Sequence, residues 1–414
     1  MLAGGTALGQ AIKVLASPIL TRLYKPEDFG ILGVYSSILG ILSVIASLRY
    51  ELAIPLPEND EDAANLLALS LGIVALISLL ISLGIRFWGE QIVRWANAPA
   101  LRSYLWLLPL GVGMIGIYHV FNYWAVRKGA FGRIARTKLN QGVSSVISQI
   151  GLGLLKLGPF GLLVGWIVGH AAGTGTLAVS ALREDKEALS TISFNRIRYL
   201  ALRYRKFPLF SSGAALLNAL GLQIPGLLLS AFYGTEVVGQ FALVQRVLGM
   251  PLTLIGTSVS QVYLGRAAAQ ARTNVQGLQR LFNSVAKRLT VLGALPTIAL
   301  IIAGPSLFTL VFGKEWREAG IYAQLMAPAF LGGFVTVPLS YTFSVLERQD
   351  LSVVWNASRL LFSVGSIYLA YRLQLGPIHA IAIYSLGMSA GYFNLFLLSR
   401  YAIRSRTRVR DMEV

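Results

Sequence analysis

Along the chain, apolar runs alternate with short polar connections, and most runs approach the roughly 20 residues that a helix needs to cross a bilayer. They lie at about 2–20, 31–48, 63–84, 103–124, 138–155, 159–181, 210–232, 237–262, 286–304, 320–345, 353–371 and 377–398. Strands of a transmembrane barrel would be about half as long and would alternate residue by residue. An open strand would leave its backbone groups unsatisfied in lipid. The pattern therefore predicts an all-α integral membrane protein of about 12 transmembrane helices.

The longest polar connection, about 182–209, falls after the sixth run and divides the chain into equal halves. The expected organisation is an N-terminal six-helix lobe over 1–181, a basic connection over 182–209, a C-terminal six-helix lobe over 210–398 and a basic tail over 399–414. Short matches suggest that the halves are related. The segment Leu20–Gly30 (LTRLYKPEDFG) lies on Leu229–Gly239, pairing Tyr24 with Tyr233, Glu27 with Glu236 and Gly30 with Gly239. Leu157-Gly158-Pro159 lies on Leu375-Gly376-Pro377, and the same offset carries Gln141, Ser145 and Ser148 onto Arg359, Ser363 and Ser366. Six spans is an even number, so such repeats are parallel, related by an axis along the membrane normal. Gly161, Gly165, Gly169 and Gly173 in the sixth span, echoed by Gly387 and Gly391 in the twelfth, form stripes that let helices approach closely.

Composition excludes a soluble reading. Charged residues make up 13% of the chain and hydrophobic ones 55%, with a mean hydropathy of +0.63, whereas soluble domains run near a quarter charged. The formal net charge of +18 would point to nucleic acid in a soluble protein, but 25 of the 36 Lys and Arg fall in alternate connections. That asymmetry predicts that both termini face the cytoplasm, with no nucleic-acid partner. The absence of cysteine excludes disulfides and thiolate metal sites. The first run lacks a basic leader and carries Lys13, unlike a cleaved signal.

Polarity inside a span is costly, so it marks candidate chemistry. Lys13 shares a helix face with Thr6, Gln10 and Ser17 in the first span. Arg246 lies deep in the eighth span, on a stripe with Thr253, Thr257 and Ser260. These faces are expected to line water or a substrate path; snorkelling to an interface is the alternative for Lys13. Asn356, Arg359, Ser363 and Ser366 form a third stripe, repeated by Lys138, Gln141, Ser145 and Ser148. Arg359 and Lys138 lie near span ends, where interface anchoring explains them. Asn218 and Gln223 are isolated polar positions in the seventh span. His119 and His170 lie within spans and are titratable. All 18 Asp and Glu fall in connections or at span ends, and the run Glu58 to Asp62 suits the N-terminus of the third span. A cation exporter usually needs a buried carboxylate; here the buried charge is positive, which favours an anionic cargo. No P-loop, metal-ligand cluster or facing carboxylate pair is present, so no catalytic residue, metal or cofactor is expected.

The segments LTRLYKPEDFG (20–30), RYELAIPLP (49–57) and DEDAANLLALS (60–70), with their spacing, resemble bacterial polysaccharide-unit flippases. These belong to the multidrug, oligosaccharidyl-lipid and polysaccharide exporter superfamily. The specific signal covers roughly the first 90 residues. The resemblance implies two six-helix lobes around a central cavity lined by spans one, two, seven and eight. It implies an undecaprenyl-diphosphate-linked oligosaccharide as cargo, for surface glycans of the lipopolysaccharide O-antigen or capsule type, flipped across the bacterial cytoplasmic (inner) membrane by alternating access. In that frame Lys13, Gln10, Arg246, Arg49, Thr253, Thr257 and Asn218 are the expected cavity residues. A proton or sodium gradient is the implied driving force, and a polysaccharide polymerase and membrane lipid are the implied partners. Arg49 and Glu51 match the family's RYE pattern, and either pair with each other or meet the head group. The chain departs from the pattern by beginning almost inside span one, without a cytoplasmic leader. Two other readings are a multidrug or small-molecule antiporter of the same superfamily and a membrane-embedded glycosyltransferase or ligase.

Overall fold

Proline and glycine punctuate the helices where the sequence places them. The computed structural model describes residues 2–273 and 275–412, with the side chains of 2–4, 6, 214, 272, 273, 275 and 406–412 outside the description. The described residues contain helices and turns and no strand. The first compact unit covers Met1–Gly239 and the second Gln240–Val414.

The first unit holds α1 (Leu2–Leu15), α2 (Ser17–Leu23), α3 (Pro26–Ser43), α4 (Asp60–Trp95), α5 (Leu107–Arg127), α6 (Phe131–Leu154), α7 (Pro159–Ala171), α8 (Thr174–Glu184), α9 (Lys186–Ser190), α10 (Phe194–Arg203) and α11 (Ser212–Tyr233). The division falls near the start of α12 (Thr235–Thr273). The second unit continues with α13 (Val275–Phe312), α14 (Arg317–Leu339), α15 (Tyr341–Val345), α16 (Gln349–Arg372) and α17 (Pro377–Met412). Among the described residues, eight helical stretches are long and apolar enough to cross a membrane. The remaining expected spans, 2–20, 31–48, 103–124 and 138–155, are largely helical but fall short of that combination of length and apolarity.

Four expected spans are interrupted, among them the tenth at Ser340, between α14 and α15. The first breaks at Ala16, where Pro18 opens α2 and cannot donate a backbone hydrogen bond. The second ends at Ser43 instead of residue 48, because the chain unwinds into turns and reaches left-handed backbone at Leu48 and Arg49. The sixth breaks at Ala172 and Gly173.

The internal repeat is visible in the backbone. An offset of 218 carries α6 onto α16 at both ends and the start of α7 onto that of α17. It also carries the left-handed residues Gly129 and Lys156 onto Glu347 and Gln374. The N-terminal match is reciprocal in space. A Cβ built on Gly30 meets the backbone of Thr235, and one built on Gly239 meets the backbone of Pro26. Since Pro26 and Thr235 occupy the same place in the two copies of the motif, each copy contacts the other through equivalent positions, as a two-fold relation requires. The glycine stripe of α7 packs against Gln149 and Ser145 of α6, and Gly387 of α17 against Ser366 of α16.

The 182–209 connection is ordered against the first unit. Arg196 forms a bidentate pair with Asp62 at 2.5 and 2.7 Å. Asn65 accepts from the Ser193 amide at 2.9 Å, and Tyr50 donates to the Ala201 carbonyl at 2.9 Å. Asp60 joins Arg127 at 2.8 Å and Lys128 at 2.6 Å, and Lys128 also reaches Asp185 at 2.7 Å. The acidic run at the start of α4 thus does more than favour a helix dipole: it fastens the basic connection to the membrane body. Leu200 is fully buried beside Leu66, Leu67 and Trp124 in the same core.

Candidate functional site

The first unit gathers positive charge inside its helical body. Gly5 and Gly9 of α1 lie against the backbone of α6 at Ala135 and Lys138, and Gly142 of α6 lies against Gly9. Lys13 follows Gly9 by four residues and so continues the packed face of α1. Lys13 and Lys138 are both half-buried, and both lie within electrostatic range of His170 on α7. Lys138 and Arg49 likewise act on His119 of α5. Five basic or titratable groups from α1, α5, α6, α7 and the turn after α3 therefore share one region.

Aromatic rings border it. The Lys138 ammonium sits 4.3 Å from the centre of the Tyr118 ring. His170 stacks on Trp166 at 3.7 Å between ring centres, and Trp166 meets Tyr35 edge-on at 6.1 Å. His170 is fixed by a 2.9 Å contact from Nδ1 to the Trp166 carbonyl, while Gln141 donates to the His170 carbonyl at 3.1 Å.

The turn after α3 adds a carboxylate. Glu51 is 2% exposed and lies 3.6 Å from the Arg49 guanidinium, which is 28% exposed. Ser47 donates to the other Glu51 oxygen. The Arg49 Nε is buried and makes no hydrogen bond among the described residues. Arg49 is thus near a counter-charge without being saturated by it, and keeps donor capacity for an incoming anion.

The other expected cavity residues stand on α1, α11 and α12. Gln10 is exposed on α1, and Asn218 is exposed on α11. The Thr6 side chain lies outside the described residues. Arg246 is half-buried in α12 and has no hydrogen bond or ion pair among the described residues. Pro251, inside the same helix, cannot donate to the carbonyl one turn earlier, so the backbone beside Arg246 has spare acceptor capacity. Thr253 and Thr257 are exposed, but their hydroxyls donate to the Gly249 and Thr253 carbonyls at 2.9 and 2.6 Å. They are satisfied within their own helix. In the second unit Arg359 lies over the Trp355 ring at 5.9 Å and within electrostatic range of Tyr384 and Tyr392.

Lys138 and His170 are the cluster members whose weight the sequence understated. Their signal was the repeated stripe Lys138, Gln141, Ser145 and Ser148, together with the facing glycine stripe on α7. Both marked the α6–α7 contact, but neither revealed that Lys138 turns inward. No group of three His, Cys, Asp or Glu that could hold a metal ion occurs among the described residues.

Comparison with known proteins places the chain. A family described as polysaccharide biosynthesis protein matches residues 19–320. A succinoglycan biosynthesis transport protein of Rhizobium meliloti is 24% identical over 366 residues, covering 86% of this chain and 70% of that protein. An inward-facing multidrug-resistance transporter superimposes with a TM-score of 0.80 at 16% identity, over 96% of each chain. The lipid II flippase structure in an inward closed conformation gives 0.76 at 12% identity, over 100% of this chain and 93% of its own.

Proposed function

The chain belongs to the polysaccharide biosynthesis protein family, and from that premise we propose that it flips undecaprenyl-diphosphate-linked oligosaccharide units across the bacterial inner membrane by alternating access. The observation that carries this reading is the cluster of Lys13, Arg49 and Lys138 with His119 and His170, which the buried Glu51 does not neutralise. Holding cations inside a membrane protein costs free energy unless an anion shares the site. A diphosphate meets that need, because its oxygens accept from ammonium and guanidinium groups alike.

Arg246 on α12 is a further cation of this reading, and Gln10, Asn218, Thr253 and Thr257 are its further polar positions. In this reading both termini face the cytoplasm, which the charge asymmetry of the connections supports. A proton or sodium gradient drives the cycle, and a polysaccharide polymerase receives the delivered unit. An exporter of cationic drugs needs a carboxylate in excess; the charge here is in excess the other way.

Complementation of surface polysaccharide in cells lacking the chain tests this. Lys13→Gln, Arg49→Gln and Lys138→Gln should each lower surface glycan at unchanged membrane abundance, and the triple variant should abolish it. Full glycan from the triple variant would sink the reading.

A further inference from the structure

The second unit carries a groove between α12 and α13 that the transport cluster does not include. Ser258, Val259, Val262 and Tyr263 of α12 face Leu281, Val285 and Leu289 of α13 across a cavity of about 310 Å³. Its floor is fixed, since Tyr263 is buried and its hydroxyl meets the Thr342 hydroxyl at 2.7 Å. Its walls are almost wholly apolar, yet Arg266 and Arg288 stand on its rim. A second cavity, lined by Ser284, Lys287, Val291 and Leu292, shares Arg288 and extends the groove along α13.

Both arginines are exposed, and neither has a hydrogen bond or ion pair among the described residues. The chain supplies no nearby counter-charge along these helices: between Glu236 and Glu315 the sequence contains no Asp or Glu. The compensating anion therefore comes from outside them.

The depth of the groove says what kind of anion. From Val291 to Phe312, α13 is free of charge and presents Val291, Leu292, Leu295 and Ile302 outward. At 1.5 Å per residue that stretch spans about 33 Å, the thickness of a hydrocarbon core. Arg288 lies just beyond its end, at the level of lipid phosphates, while the groove beside it runs into the apolar region. A phosphate joined to an acyl chain fits both features; a soluble anion uses only one.

We infer that the α12–α13 groove is a binding site for an anionic glycerophospholipid, its phosphate held by Arg266 and Arg288 and one acyl chain lying against Val262, Leu289 and Val291. This stands on the membrane embedding alone and is independent of the transport reading.

The test is native mass spectrometry of the purified full chain titrated with phosphatidylglycerol and, separately, phosphatidylcholine. The wild-type protein should retain phosphatidylglycerol preferentially. Arg266→Gln and Arg288→Gln should each weaken that binding about five-fold, the effect of one basic side chain at an anionic surface. Arg280→Gln, an exposed position of α13 outside the groove, should leave it unchanged. Val285→Trp keeps both charges but fills the cavity, and should also weaken binding. Equal retention of both lipids, or undiminished binding by the Arg266→Gln/Arg288→Gln variant, would overturn the inference. So would saturation by a polyprenyl diphosphate that phosphatidylglycerol cannot displace, which would give the groove to transported lipid. A dimer lost on Arg288→Gln would give it instead to a second copy of the chain.

Discussion

Replacing Gly30 by Ala puts a methyl group where the backbone of α12 already stands. The new Cβ would lie 2.5 Å from the Thr235 carbonyl carbon and 3.1 Å from its Cα, and closer still to its oxygen. Ordinary van der Waals contact begins near 3.4 Å, so α3 and α12 must separate by about 1 Å or more at their starts. No rotamer change relieves this, because every atom met is backbone. The same holds for Gly239→Ala, whose Cβ would lie 2.7 Å from the Pro26 carbonyl carbon and 2.9 Å from the Gly30 nitrogen. Overpacking costs about 1–3 kcal/mol, and a backbone-on-backbone clash belongs at the upper end. At roughly 2 °C per kcal/mol for a large chain, each variant should lower the unfolding midpoint in detergent by roughly 5 °C. The two substitutions open the same contact, so the double variant should lose less than the sum of the singles. Gly72→Ala and Gly365→Ala are the controls, since a Cβ at either meets nothing within 4 Å. Both lie inside helices and should hold or raise the midpoint through helix propensity. An unchanged midpoint for Gly30→Ala would refute the close crossing, and strict additivity would refute its reciprocity.

Other outcomes follow from the charges. Arg246→Ala should abolish transport at near-normal membrane abundance, Arg246→Lys should keep part of it because charge survives without the bidentate fork, and Arg246→Glu should be worse than Ala; complementation normalised to protein level checks this. Asp62→Arg should free α10 and expose 182–209 to protease, and adding Arg196→Asp should restore protection by reversing the pair. Lys128, and after it Arg127, hold the Asp60 carboxyl below its ordinary value of 3.8. A depressed folded-state value means that these pairs contribute fully above 3.8 and are lost as pH falls through the folded value. The junction of α4 with the end of α5 should therefore resist proteolysis unchanged down to around pH 5 and become sensitive only in stronger acid, a shift that Asp60→Asn should remove.

Much of this was legible because lipid imposes one rule: apolar runs of sufficient length become helices. The starts of α7 and α17 were marked by Pro159 and Pro377, and the repeat by short matches whose offset the backbone keeps. The first and fifth expected spans, which carry Gln10 and Lys13 or Lys138, Gln141 and Ser145, are among those that fall short of apolar membrane stretches. Periodicity could not reveal which polar stripe faces what. Thr253 and Thr257 bond their own helix, a choice set by local geometry. Lys138 looked like an anchor by its place near a span end, and only the α1–α6 packing through Gly9 and Gly142 turns it toward Tyr118 and the histidines. The docking of 182–209 depends on pairs such as Asp62 with Arg196, 134 residues apart, which no local pattern encodes.

The central claim is that this chain moves a lipid-linked oligosaccharide by holding its diphosphate among inward-turned cations. The most direct measurement is the sidedness of that lipid in membrane vesicles, read by its accessibility to an impermeant sugar-modifying enzyme. Without the chain, the lipid-linked oligosaccharide should stay on the cytoplasmic leaflet; the wild-type chain should move it across, and Lys138→Glu should not. Intermediates reaching the outer leaflet at the wild-type rate without the chain, or with Lys138→Glu, would contradict the account.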